Sequence, residues 1–355
     1  MKSIYIHIPY CKQKCLYCDF NSYSNKEDTI NKYFDALIEE IKSYNIKELN
    51  TIYFGGGTPS FVDSKYIREI MSILPKANEV TLELNPGTVN KEKLAEYKNI
   101  GINRLSIGLQ AIQNDILKEI GRIHTLNDFE EAFKLARSVG FDNINVDLMH
   151  GLPNQSVQDF KDSVDYLVKL GPEHISCYSL ILHNDIFKNL PTEEDERKMY
   201  YYAKEKLKES GYIHYEISNF AKSGKESKHN LVYWNQEEYV GVGAGASSYL
   251  NGERYTNVSS IEEYIKRINR GESVNIIEEK QNSEDKLNEY MILKLRLIKG
   301  VNIKETNEKF KTDIVKKYEK SLEKLKKLGL IKIDENIYLT DKGLDLANIV
   351  WEEFI

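Results

Sequence analysis

Six short β-rich runs recur along the first half of the 355-residue chain: SIYIHIP from Ser3, NTIYFGG from Asn50, EVTLELN from Glu79, RLSIGLQ from Arg104, NINVDLMHG from Asn143 and HISCYSLIL from His174. Helix-patterned stretches separate them. In DTINKYFDALIEEIKSY, Ile30, Phe34, Leu37, Ile38 and Ile41 share one helical face, and DFEEAFKLARSVG closes on a glycine stop. Regular alternation of strand and helix specifies a parallel sheet with right-handed crossovers. Six units are too few to close an eight-stranded barrel, so the expected fold is α/β, an open partial (β/α)6 TIM-like barrel. Chemistry in such sheets gathers at the carboxyl ends of the strands. There the sequence places a thiol-rich loop after the first run, GGGT after the second, Asn85 and Pro86 after the third, Gln110 at the end of the fourth and Asp147 late in the fifth. All should converge on one mouth.

The rhythm breaks after IEEYIKRINRG. Helical stretches EDKLNEYMILKLRL, NIKETNEKF and DIVKKYEKSLEKLKKLG follow, then strand-like LIKID and NIYLT and a last helix after Asp341, a winged-helix pattern. Such shapes often bind DNA, but acidic and basic residues balance over residues 273–355, so nucleic acid is not an expected partner. The expected organisation is a (β/α)6 core over residues 1–215, a barrel-capping segment with HNLVYW over 216–272, and a small helical, winged domain over 273–355.

Three of the four cysteines, Cys11, Cys15 and Cys18, fall within CKQKCLYCDF. The chain opens directly on SIYIHIP with no export or transit pattern, and no apolar run approaches the roughly 20 residues of a membrane span. A cytoplasmic, reducing location is therefore expected, and there clustered thiols read as metal ligands rather than disulfides. The isolated Cys177 reads as a small buried hydrophobe. The net charge of −6 offers no global attraction to nucleic acid or anionic lipid. On spacing alone two centres compete: an iron–sulfur cubane with one iron lacking a protein thiolate, or a zinc ion completed by His7. His7 lies within the strand pattern of YIHIP, which favours a packed residue beneath the loop.

GGGTPS, Gly55 to Ser60, puts three residues without side chains at a strand end, where a ligand could approach the backbone and bond its amides. Together with the C-x3-C-x2-C loop it resembles the radical S-adenosylmethionine (SAM) superfamily. That resemblance implies a [4Fe-4S] cluster on Cys11, Cys15 and Cys18, with SAM chelating the open iron. YIHIPYCKQKCLYCDF, YFGGGTPS, LELNP, SIGLQ, NVDLMHGLP and HNLVYW further resemble the oxygen-independent coproporphyrinogen III oxidase group, specifically its heme-chaperone branch. Carried over by position, Tyr5 and Tyr17 would flank the cluster and SAM, Gly56, Gly57 and Thr58 would contact the methionyl end, and Glu83, Gln110, Arg122 and Asp147 would complete the SAM pocket. The chemistry suits these roles: carboxylates accept from hydroxyls or an ammonium, and a guanidinium can meet a carboxylate in bidentate fashion.

Phe20 is where this loop departs from the oxidases, which resemble C-x3-C-x2-C-x-C; the chaperone branch carries Phe there. The oxidases also extend some tens of residues ahead of the loop, whereas Cys11 follows ten residues here. The resemblance therefore implies a heme-binding chaperone, with SAM machinery but no true coproporphyrinogen III dehydrogenase activity. Heme-acceptor proteins are the implied partners, membrane-associated ones included, and a homodimer is compatible. Two alternatives stand: decarboxylation of coproporphyrinogen III to protoporphyrinogen IX, or radical SAM chemistry on another substrate. His229, with Tyr233 and Trp234 in HNLVYW, is the candidate axial heme ligand, and His150 and His183 are its rivals. GVGAGASSYL, from Gly241, reads as a turn under the mouth or as part of the SAM or heme site.

Overall fold

The computed structural model describes residues 2–181 and 186–355. β1 (Ser3–Ile8), α1 (Ile30–Ser43), β2 (Thr51–Gly56), α2 (Ser64–Ile73), β3 (Glu79–Leu84), α3 (Lys91–Asn99), β4 (Arg104–Gln110), α4 (Asn114–Glu119), α5 (Leu126–Ser138), β5 (Ile144–His150), α6 (Val157–Leu170) and β6 (His174–Ser179) follow in order. All six expected strands form, and each pairs in parallel with its sequence neighbour. Capping residues fix where the helices start and stop. Thr125 with Asp128 and Ser156 with Asp159 form capping boxes on α5 and α6, and Gly171 ends α6 in the left-handed conformation.

After α7 (Glu193–Glu209) come β7 (Ile213–Glu216), β8 (Asn219–Ala221), α8 (Lys228–Trp234) and β9 (Val240–Val242). Two short strands of the segment expected to cap the barrel over 216–272 join the main sheet, whereas Ser247–Leu250 and Glu253–Asn257 form a separate three-stranded sheet with Asn275–Lys280. β8 pairs antiparallel with β6, and β9 pairs parallel with β1, giving the strand order β7-β8-β6-β5-β4-β3-β2-β1-β9. GVGAGASSYL is thus partly an edge strand. Its first turn lies against the barrel because the Glu40 carboxylate of α1 accepts from Gly243 N at 2.7 Å and from Asn257 Nδ2 at 2.7 Å.

Side chains alternate across a strand, and the two faces of this sheet differ in kind. Ile4, Ile6, Phe54, Leu82, Leu105, Ile107, Val146 and Ile175 point outward into one apolar core with Phe34 and Leu37 of α1, Ile67 of α2, Phe129 of α5 and Phe160 of α6. Tyr53, Glu83, Arg104, Ser106, Gly108, Gln110, Asn145, Asp147 and Ser176 point inward and line a cavity. α8 closes the amino-terminal end of this barrel. Glu79, the first residue of β3, accepts from the amides of Lys228 at 3.1 Å and His229 at 3.0 Å, the anion and helix N-terminus attracting one another.

Residues from 283 onward build a second apolar cluster around Leu287, Met291, Leu322, Leu325, Ile337 and Val350. Three details differ from the sequence expectation, the first being that the last helix is two, Asp341–Asp345 and Ala347–Glu352. A short strand, Val301–Asn302, joins Asn336–Leu339 and Ile331–Ile333 in a three-stranded sheet. The expected long helix is divided into Ile314–Lys317 and Glu319–Lys327 at Tyr318, whose ring turns in to pack edge-on against Phe354 at 5.1 Å. Arg296 ties this unit to the barrel. Its guanidinium lies 4.3 Å from the Trp234 ring of α8, 5.5 Å from the Trp351 ring, and 3.7 Å from the fully buried Glu216 carboxylate.

Candidate functional site

The thiol loop leaves β1 and is closed by backbone bonds, with Cys11 N donating to Tyr23 O at 2.9 Å and Tyr23 N to Pro9 O at 2.7 Å. His7 supports it from below. Tyr5 OH lies 3.1 Å from Nδ1 of His7, whose Nε2 lies 2.7 Å from the Asn21 carbonyl, so both ring nitrogens are engaged and the residue packs beneath the loop. The Asn21 amide in turn donates to Ala244 O at 3.0 Å and Ser259 O at 2.9 Å. The turn after β9 therefore clamps the far end of the loop.

Cys11, Cys15 and Cys18 all line one cavity of about 390 Å³ at the carboxyl ends of the strands. Cys11 Sγ lies 3.5 Å from Thr58 Oγ1, Cys15 Sγ accepts from Arg122 Nη1 at 3.6 Å, and Cys18 Sγ lies 4.0 Å from Ser22 Oγ. Burial pushes the Cys11 and Cys18 thiols up, so their ionised form calls for a cation. Among the described residues no three thiol, imidazole or carboxylate groups converge on a single metal position. A cubane makes no such demand, because each thiolate takes its own iron. Cys177 faces outward in the apolar core, its thiol pushed up to about 12 by burial.

Gly56 and Gly57 line the cavity, but their lack of side chains answers to a different neighbour from the one the sequence suggested. Gly56 has φ +114°, and a Cβ there would meet the His7 ring at 2.7 Å; one on Gly57 would meet Tyr10 O at 2.8 Å and Cys11 Sγ at 3.0 Å. The amides of Gly57 and Thr58 already donate to Ile8 O at 2.9 Å and Tyr10 O at 2.8 Å. These residues let β2 pass directly beneath the thiol loop. The side chain of Thr58 accepts from Asn85 Nδ2 at 2.8 Å.

Glu83 accepts from Tyr53 OH at 2.8 Å, and burial, with the charge of Asp147 adding, pushes its carboxyl up to about 7. Asp147 accepts from Asn145 Nδ2 at 2.8 Å and Ser106 Oγ at 3.3 Å, and it too is raised by burial. Gln110 ends β4 at φ +74° and lines the cavity. Tyr17 lines it from the thiol loop, whereas Tyr5 is not among the lining residues and instead stacks on Tyr53 at 6.0 Å. Arg122 reaches the cavity with its guanidinium already divided among Asn85 Oδ1 at 2.7 Å, Gly108 O at 2.8 Å, His124 Nδ1 at 3.3 Å and Cys15 Sγ. A free bidentate fork is not what it presents.

The heme candidates require correction. His229 is fully buried at the barrel floor, the end opposite the thiols, with Nδ1 2.8 Å from Thr51 Oγ1 and Nε2 2.8 Å from Tyr233 OH. Neither nitrogen is open to iron. His150 falls on the outward phase of β5 and packs between Phe160 at 5.7 Å and Tyr200 at 6.2 Å. His183 lies outside the described residues. Sequence reasoning missed Arg104, Ser106, Asn145 and Ser176, although their signal was present as polar residues at every second position of strands four to six.

The donor set, the cavity the three thiols share and the carboxylates lining it fit a cluster-bound cationic cofactor, and comparison with known proteins agrees. The radical SAM superfamily model matches residues 5–167, and the HemN C-terminal domain model matches residues 281–346. Coproporphyrinogen III oxidase (HemN) from Escherichia coli, described as a radical SAM enzyme, shares the fold with a TM-score of 0.88 at 22% identity, covering 99% of this chain and 89% of that one. The heme chaperone HemW of Lactococcus lactis is 37% identical over 99% of this chain and 97% of its own length. That of Bacillus subtilis is 38% identical over 100% of this chain and 99% of its own. With this likeness running the length of both proteins, the chain belongs to the HemW family of the radical SAM superfamily.

Proposed function

We propose that this chain is a heme-binding chaperone that carries a [4Fe-4S] cluster on Cys11, Cys15 and Cys18 and hands heme to acceptor proteins. The observation that carries the reading is 37–38% identity, over nearly the full length, with proteins named heme chaperone, combined with Phe20 at the place of the oxidases' fourth loop cysteine. Phe20 is 68% exposed, and with Leu16, Ile123 and Ile181 it adds to an apolar rim on the loops around the mouth. A flat macrocycle larger than the cavity would rest on such a rim rather than enter.

When bound, the cluster supplies electrons for reductive chemistry on SAM. The chain's own residues would hold and orient the cofactor: Tyr17, Gly56, Gly57, Thr58, Gln110 and Arg122 from the upper wall, Glu83 and Asp147 as carboxylates that suit a cationic group, and Tyr5 through its contact with Tyr53. Cytoplasmic residence and heme-acceptor partners, membrane-associated ones among them, belong to the same proposal, as does compatibility with a homodimer.

The test is anaerobic reconstitution followed by parallel assays of heme binding, heme transfer and coproporphyrinogen consumption. Heme should bind and pass to an acceptor while coproporphyrinogen stays intact. Conversion of coproporphyrinogen with release of carbon dioxide would overturn the reading in favour of the oxidase. Replacing Cys11, Cys15 or Cys18 with Ala should abolish iron–sulfur absorbance, and Cys177→Ala should leave it unchanged.

A further inference from the structure

The cavity extends from the thiol loop at the mouth down to α8 at the floor, where Asn230 lines it. Arg104 starts β4 and Gln110 ends it, so along the strand they are separated by about 20 Å. The residues proposed for SAM occupy the upper and middle levels. Arg104 and Asn230 below them have no part in that reading.

Most of the polar groups in this lower layer are tied together. Asn145 Nδ2 donates to Ser106 Oγ and to Asp147 Oδ1, each at 2.8 Å, and Asn145 Oδ1 accepts from His174 Nδ1 at 2.6 Å and from Ser176 Oγ at 3.1 Å. His174 Nε2 then meets Tyr215 OH at 2.8 Å. Arg104 is the exception. It is 2% exposed, its Nε has no partner, and no hydrogen bond or ion pair reaches its guanidinium among the described residues.

A buried guanidinium without an acceptor is strongly unfavourable. Glu83 and Asp147 act on it only through their charge, since their oxygens are engaged by Tyr53, Asn145 and Ser106. We propose that the cavity floor is a second binding site, which takes the carboxylate of a small organic acid on the Arg104 guanidinium, with the Asn230 amide as a further donor. The guanidinium fork matches a carboxylate in shape and charge. The two cavity carboxylates, Glu83 and Asp147, disfavour a doubly charged anion such as phosphate. A total volume of about 390 Å³, shared with the cofactor above, leaves room for only a few heavy atoms.

The test uses the full chain reconstituted with cluster and SAM, titrated with ¹³C-labelled acetate and followed by NMR line broadening, with inorganic phosphate as the competing probe. Saturable acetate binding is expected, weakened at least tenfold in Arg104→Met and less in Arg104→Lys. Asn230→Leu removes the second donor at the floor and should also weaken binding, which keeps the test decisive if Arg104→Met does not fold. Absence of saturable binding, equal binding in wild type and Asn230→Leu, or tighter binding of phosphate would each overturn the site. Heme binding is a separate readout, so failure here and failure of the chaperone reading are distinguishable.

Discussion

The two faces of the central sheet are made by the same strands and obey opposite rules. On β4, Leu105, Ile107 and Leu109 face the helices, while Arg104, Ser106, Gly108 and Gln110 face the cavity. The outward face is a continuous apolar layer whose burial drives folding. The inward face is a hydrogen-bonded polar lining, unlike the branched apolar packing that fills a closed eight-stranded barrel. Leaving the barrel open frees its interior from the task of supplying the core, and chemistry can occupy it.

A carboxylate placed on the outward face should have the largest effect. Ile107→Asp, with no partner for its charge, should cost more than about 4 kcal/mol and leave little folded protein by circular dichroism. A milder test uses Glu83, whose carboxyl is raised from the ordinary 4.5 to about 7 by burial. An acid raised in this way stabilises the fold fully below its unfolded pKa and loses that contribution as pH climbs to about 7. Urea denaturation of the apo-protein should show wild type losing on the order of 3 kcal/mol between pH 4.5 and 7.5 relative to Glu83→Gln.

His229→Ala tests the floor. It leaves the Thr51 and Tyr233 hydroxyls unpaired, so stability should fall by about 2 kcal/mol while the heme spectrum is unchanged. A shifted Soret band in that variant would restore His229 as a ligand. The smallest effect is expected for Ser106→Ala, beside Ile107 but inward-facing: about 1 kcal/mol in the same denaturation experiment, because the lost bond to Asp147 is long and Asn145 Nδ2, which also donates to Ser106, keeps its bond to Asp147.

Much of this was legible in the sequence because periodicity and local loops carry it. All six parallel strands and the thiol loop could be placed, since strand–helix alternation and C-x3-C-x2-C are local patterns. β9 was not, because three residues of Val-Gly-Val become a strand only when the edge of β1, more than 200 positions away in sequence, is there to pair. The glycines of GGGTPS were read as open space for a ligand, yet what crowds Gly56 is the His7 ring from the neighbouring strand. HNLVYW looked like a ligand motif for the same reason. Its chemistry is visible in sequence, but the strand starts that occupy His229 and cap α8 are brought there only by the tertiary fold.

The clasp at Arg296 makes the molecule its own reporter. Both tryptophans of the chain flank this one guanidinium, Trp234 on the helix that floors the barrel and Trp351 on the last helix of the C-terminal unit. Intrinsic fluorescence excited selectively in indole therefore comes from this one junction. A change in emission on adding heme, SAM or an acceptor would register movement between barrel and C-terminal unit without any introduced label, and Arg296→Met would set the reference for the opened state.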